Sequence, residues 1–199
     1  YGLYRDGELV DSYTTDENGC FKTNSYPCGN YTIQEISPSA GYQLDDTVYT
    51  VGAQPENYTI ELNNTSLTVK ETPVKGSVSI LKHSDKNADE IVNLEAGAEF
   101  EIYLKSSGSY ENAEDTEKDY LITDENGFAK TKDMPYGQYT VHQTKTVNEA
   151  EFVSDFDVLI SENGRTYEYV LNDTPFSSFI QVEKLDAETG KAIAYQGAG

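Results

Sequence analysis

Lys82 is out of place in its own segment. In Val78-Ser79-Ile80-Leu81-Lys82 a strand's alternation puts its ammonium on the face of Val78 and Ile80. A buried lysine is costly unless it is paired or neutralised. Lys184 repeats the situation after Ile180 and Val182. A lysine at a strand end can also snorkel to water, and the pattern alone leaves both readings open. Two more polar types occupy core-facing registers: Glu35 follows Tyr31 and Ile33, while Asn63 and Asn172 end the segments 58–63 and 167–172. An amine on a first strand, an acid on a middle strand and a carboxamide on the last strand are the set needed for a spontaneous amide crosslink.

The elements that must position these groups are announced by a repeat. Asp16-Glu17-Asn18-Gly19-Cys20-Phe21-Lys22-Thr23 recurs as Asp124-Glu125-Asn126-Gly127-Phe128-Ala129-Lys130-Thr131, and the following Tyr-Pro-Cys-Gly-Asn-Tyr-Thr-Ile at 26–33 recurs at 134–141. A spacing this long holds a whole domain rather than a solenoid unit. The 199 residues suffice for two such domains, each with a modest core. Apolar residues alternate with polar ones, no helical period is sustained, and Asn-Gly pairs at 18–19, 126–127 and 163–164 predict type I′ hairpins. The fold class expected is all-β: tandem antiparallel β-sandwiches.

In the second unit, strands are expected near 76–84, 98–105, 118–123, 127–132, 137–144, 155–161 and 166–172, with 106–117 a loop. In the first unit they are expected near 1–5, 8–14, 20–24, 30–36, 47–52 and 57–63, with an extension at 66–71. The proline-containing link 71–76 should join the units semi-rigidly, end to end. The division expected is 1–73, a unit lacking its first strand; 74–175, a complete unit; and 176–199, the first strand of a further unit. Either the array is cut out of phase, or the C-terminal strand of one molecule completes residues 1–73 of another copy by strand complementation.

Composition narrows the function. With 35 acidic against 14 basic residues and a net charge of −21, simple electrostatics argue against nucleic acid or an anionic membrane as partner. An acidic, solvated surface suits an exported protein. No window is apolar enough to span a membrane, and neither a signal peptide nor a sorting tail is visible, which reads as a mature or excised segment. Cys20 and Cys28, across a short hairpin, are expected either to form a disulfide or to remain two partly buried thiols. No metal site is expected, because CxxC spacing is absent and the Asp-x-Asn-Gly turns lack the later calcium ligands. His83 and His142 read as isolated surface residues. No nucleophile triad or phosphate loop appears, so no enzyme activity and no cofactor are expected.

Taken together, Val-Ser-Ile-Leu-Lys-x-x-Asp at 78–85, Gly-Ala-x-Phe-x-Ile-Tyr at 97–103, Thr-Asp-Glu-Asn-Gly at 123–127, Pro-Tyr-Gly-Gln-Tyr-Thr-Val at 135–141 and Tyr-Thr-Ile-Gln-Glu…Gly-Tyr at 31–42 resemble the Cna-B-like repeat domains of Gram-positive collagen adhesins and pilin shafts. The last motif resembles that family's E-box. The resemblance implies a prealbumin-like or Ig-like sandwich and an autocatalytic isopeptide bond between a first-strand lysine and a last-strand asparagine, assisted by the E-box glutamate. Carried over, Lys82 and Asn172 form one pair, but its E-box position is Gln143, which cannot act as an acid or base. Glu35 and Asn63 form a second set, with Asn64 the next candidate, and Lys184 from a neighbouring chain would complete it. The function implied is a structural stalk of a secreted, cell-wall-anchored adhesin or pilin-like protein. Alternatives are direct binding of host extracellular matrix or glycan through exposed tyrosines and the 106–117 loop, or an accessory β-sandwich domain of a secreted carbohydrate-active enzyme.

Overall fold

The structure, a computed structural model, describes residues 1–52, 66–85, 91–147 and 151–173. The N-terminal part is a four-stranded antiparallel sheet, ordered β2-β1-β3-β4, of β1 (Gly2–Arg5), β2 (Glu8–Ser12), β3 (Tyr31–Gln34) and β4 (Tyr49–Val51). Leu3, Tyr31 and Ile33 are its buried apolar residues, with Tyr1, Tyr13, Phe21, Tyr26 and Val51 packed against them.

Two sheets follow that share one core. The strands are β5 (Lys75–His83), β6 (Glu99–Leu104), β7 (Lys118–Ile122), β8 (Phe128–Lys130), β9 (Met134–Pro135), β10 (Gly137–Lys145), β11 (Phe156–Ile160) and β12 (Thr166–Asn172). One sheet runs β11-β10-β6-β7; the other runs β12-β5-β8, with β9 also on β5. Alternation explains the core: Val78 and Ile80 from β5, Phe100 and Ile102 from β6, Tyr139 and Val141 from β10, and Val158 and Ile160 from β11 meet in one cluster. Each such side chain, fully buried, contributes about 1.5–3 kcal/mol. The pairing of β12 with β5 is parallel, unlike the other pairs, and joins the first strand of this sandwich to its last.

The seven strands expected between 76 and 172 are all present. Residues 20–24 and 66–71 are not strands, and 57–63 lies outside the described residues. The turns also need correction. Among the described residues the only non-glycine with positive φ is Asp6, at 51°, so the type I′ hairpin is Asp6-Gly7 between β1 and β2. The repeated Asp-Glu-Asn-Gly is an aspartate-anchored turn instead. Asp124 Oδ1 accepts from Asn126 N (2.8 Å) and Phe128 N (2.9 Å), and Gly127, at φ 67°, closes the turn. Asp16 does the same for Asn18 N and Cys20 N. The aspartate side chain supplies the acceptor, so the asparagine has no need of a left-handed backbone.

The expected disulfide is not formed: Cys20 and Cys28 are exposed free thiols. The hairpin that was to bring them together is absent, because no strand is described between residues 13 and 30.

Candidate functional site

Lys82 lies near the end of β5, in register with Leu171 of the parallel β12. Its side chain is wholly buried, and its ammonium lies 2.9 Å from Glu95 Oε2 and 2.9 Å from Asp173 Oδ1, two carboxylates that are themselves 1% and 0% exposed. Nζ also donates to His83 O at 3.1 Å. The contact with Glu95 is an aligned hydrogen bond. Asp173 Oδ1 is close but unaligned, so that contact is ionic.

Backbone bonds hold all three groups. Lys82 N donates to Gly127 O (2.7 Å), Glu95 N to Lys82 O (3.0 Å) and Asp173 N to His83 O (3.0 Å). Gly127 of the repeated turn is pressed so closely here that a Cβ would stand 2.4 Å from Lys82 O. The turn thus braces the lysine strand as well as reversing the chain. Gly19, its counterpart, faces open space.

One ammonium and two carboxylates in a dry site leave one negative charge uncompensated. Such a set favours one extra proton. The Asp173 carboxyl takes that direction: burial raises its pKa above the ordinary carboxylate value, against the Lys82 ammonium, which lowers it.

Beside this triad is a second buried cluster. Asp85 accepts from Val92 N (3.0 Å), Asn93 N (3.2 Å) and Asn93 Nδ2 (2.5 Å), and it pairs with His83 Nδ1 at 2.9 Å. These bonds, led by the Val92 amide, hold its carboxyl down at about 2. His83 is therefore not a surface residue. It is 1% exposed, whereas His142 sits at the surface beside Asp155.

The structure brings Lys82 together with Asp173 rather than with the expected Asn172. Asn172 Oδ1 accepts from Asp85 N (2.9 Å) and its Nδ2 donates to Asp85 O (3.0 Å), one residue short of the lysine. Gln143 is buried at the inward position expected of it. Its Oε1 accepts from Val153 N (2.9 Å), and its Nε2 donates to Lys145 O (3.2 Å) and reaches Asp173 Oδ2 at 3.5 Å. Glu35 is likewise buried after Tyr31 and Ile33, and its Oε2 accepts from Asp45 N (2.8 Å). Asn63, Asn64 and Lys184, and with them the strand complementation, lie outside the described residues. Strand alternation missed Glu95 and Asp173 because neither lies on a strand. The signal for Asp173 was its adjacency to Asn172, and for Glu95 its place just ahead of the Gly-Ala-x-Phe motif.

This all-β architecture defines a prealbumin-like domain. Residues 2–68 and 76–175 match the SpaA family, described as a prealbumin-like fold domain, and the chain belongs to that family. Among solved structures it is similar to the Bacillus anthracis TIE protein, with 26% identity and a TM-score of 0.69 over 87% of this chain. That likeness spans only 30% of the TIE protein. It shares its fold with a C-terminal fragment of the pilus adhesin SpaC from Lactobacillus rhamnosus GG, at 14% identity and a TM-score of 0.52, covering 90% of this chain and 89% of that one. No match is found among curated proteins. Domains of this kind occur in Gram-positive pilins and adhesins, as the Cna-B-like resemblance implied. No helix among the described residues is long and apolar enough to cross a membrane.

Proposed function

We propose that the two matched segments are successive stalk units of a secreted, cell-wall-anchored surface protein, and that the second unit staples its first strand to its last by an amide between Lys82 and Asp173. The observation that carries this reading is the Lys82 ammonium, sealed from water 2.9 Å from a carboxylate on the segment just after β12. An ion pair buried this deeply is poor value as a stabilising device, since desolvation can exceed the Coulombic gain. As a reaction site the same burial is useful: it favours a neutral Asp173 carboxyl and holds it in contact with the lysine nitrogen.

In the condensation, the Lys82 nitrogen bonds to Asp173 Cγ, one Cγ–O bond breaks, and one water leaves. Intact-mass spectrometry of the folded protein is expected to read about 18 Da below the sequence mass, with a branched Lys82–Asp173 peptide after digestion. A deficit of about 17 Da would instead report loss of ammonia and return the bond to Asn172. An unaltered mass in every folded species would remove the staple and leave a plain tandem scaffold.

A further inference from the structure

We infer that the proton-transfer residue of this staple is Glu95, on the loop before β6, and that Gln143 only positions the Asp173 carboxyl. The inference rests on the Lys82–Asp173 reading and names the group that makes it run. Gln143 has no exchangeable acid proton: its Oε1 accepts from Val153 N, and its Nε2 donates to Lys145 O and reaches Asp173 Oδ2 at 3.5 Å, so it can orient the acceptor carboxyl but cannot shuttle a proton. Glu95 touches the reacting nitrogen, with Oε2 2.9 Å from Nζ. Its other oxygen, Oε1, is buried with no hydrogen-bond partner among the described residues. That oxygen is therefore not tied up by any other donor and is free to exchange a proton with the amine beside it.

The position of Glu95 is fixed by its backbone, not by a long side-chain reach. Its N–H is bonded to Lys82 O, and its carbonyl accepts from Thr123 Oγ1 at 2.6 Å. The same Thr123 oxygen accepts from Ala98 N at 3.0 Å. A carboxyl locked on both sides within reach of the nucleophile is preorganised for transfer. The sequence agrees in a way that pairing alone does not require. Where the first unit keeps an acid, Glu35, the second has Gln143; and where the second has Glu95, the opening of the further copy, aligned on Gly197-Ala198, has Tyr195.

The steps balance as follows. Glu95 takes a proton from the Lys82 ammonium, and the freed amine attacks Cγ of the protonated Asp173. Glu95 then gives its proton to the departing hydroxyl, which leaves as water, and it recovers one from the amide-forming nitrogen. The products are the amide, one water and neutral Glu95, with four transferable protons and zero net charge before and after.

Intact mass and circular dichroism of the full chain test this with wild type, Glu95→Gln and the double variant E95Q/Q143E. The expected result is a deficit of about 18 Da in wild type, full mass in folded E95Q, and recovery of the deficit in the double variant. A wild type at full mass overturns the staple itself. A wild type at the lower mass, with E95Q equally complete, leaves the staple and overturns the role of Glu95. Should E95Q not fold, Glu95→Asp serves, followed over time after cell-free synthesis: crosslinking at least tenfold slower supports the assignment, and the wild-type rate refutes it.

Discussion

At the scale of single residues, two buried carboxyls in neighbouring clusters are driven in opposite directions. Asp173, beside one cation but stripped of water, is pushed up; Asp85, wrapped in amide donors, is held at about 2. The sign of each pH effect follows. Asp85 has a folded pKa below its ordinary 3.8, so its stabilising contribution is complete above about pH 4 and is lost as pH falls toward about 2. Comparing wild type with Asp85→Asn by urea unfolding should show a gap that narrows as pH falls from about 4 to 2. A gap independent of pH would refute the assignment. Asp173, if left unlinked in Lys82→Ala, should act in the reverse sense. Its raised pKa makes the folded state the better proton binder, so stability drops as pH rises above about 4. The variant should also be markedly less stable than wild type, by about 3–5 kcal/mol or more at neutral pH, because it lacks the staple and keeps two buried carboxylates with no cation beside them.

At the scale of elements, the Asp-Glu-Asn-Gly turn has unequal duties in its two copies. Gly127→Ala places a methyl against Lys82 O besides straining a positive φ, whereas Gly19→Ala incurs the backbone strain alone. Thermal or urea unfolding should find the first costing more than about 2 kcal/mol and the second about 1 kcal/mol. Equal costs would mean that the brace on β5 is unimportant. The strands of residues 75–172 were legible because Val78, Ile80, Phe100, Ile102, Tyr139 and Val141 alternate cleanly over a shared core. Lys82, Gln143 and Glu35 were placed inward by the same period. The lysine's partner Asp173 was not legible, since alternation ends with the strand at Asn172 and the chain's next step decides that Asp173 faces the lysine. Glu95 lies beyond reach of any period-two argument; only the long-range backbone bond to Lys82 puts it there. The Asn-Gly pairs at 18–19 and 126–127 misled for a local reason: the preceding aspartate caps the turn and changes its type.

At the scale of the whole molecule, the link between the matched segments is bonded to both sides. Gln43 N donates to Thr72 O and Val74 N to Gly41 O, while Tyr136 N donates to Val74 O and Asn163 Nδ2 to Gln43 Oε1. Gly41, at φ 88°, lies so close to the Tyr136 ring that a Cβ would come within 2.8 Å of it. Gly41→Val should therefore loosen the joint without unfolding either part, seen as a larger radius of gyration spread in small-angle scattering with unchanged circular dichroism. An unchanged scattering curve would count against a fixed joint. The parallel pairing of β5 with β12 has a mechanical consequence. The chain enters this sandwich at Lys75 and leaves at Asp173, at opposite ends of two neighbouring strands, so a pull on the termini loads their ladder in shear. With Lys82 tied to Asp173, the traction would pass along eight residues of β5, cross a single covalent bond and exit. Everything between His83 and Asn172 would then be a slack side branch, its contour of about 300 Å never released to a stretching probe.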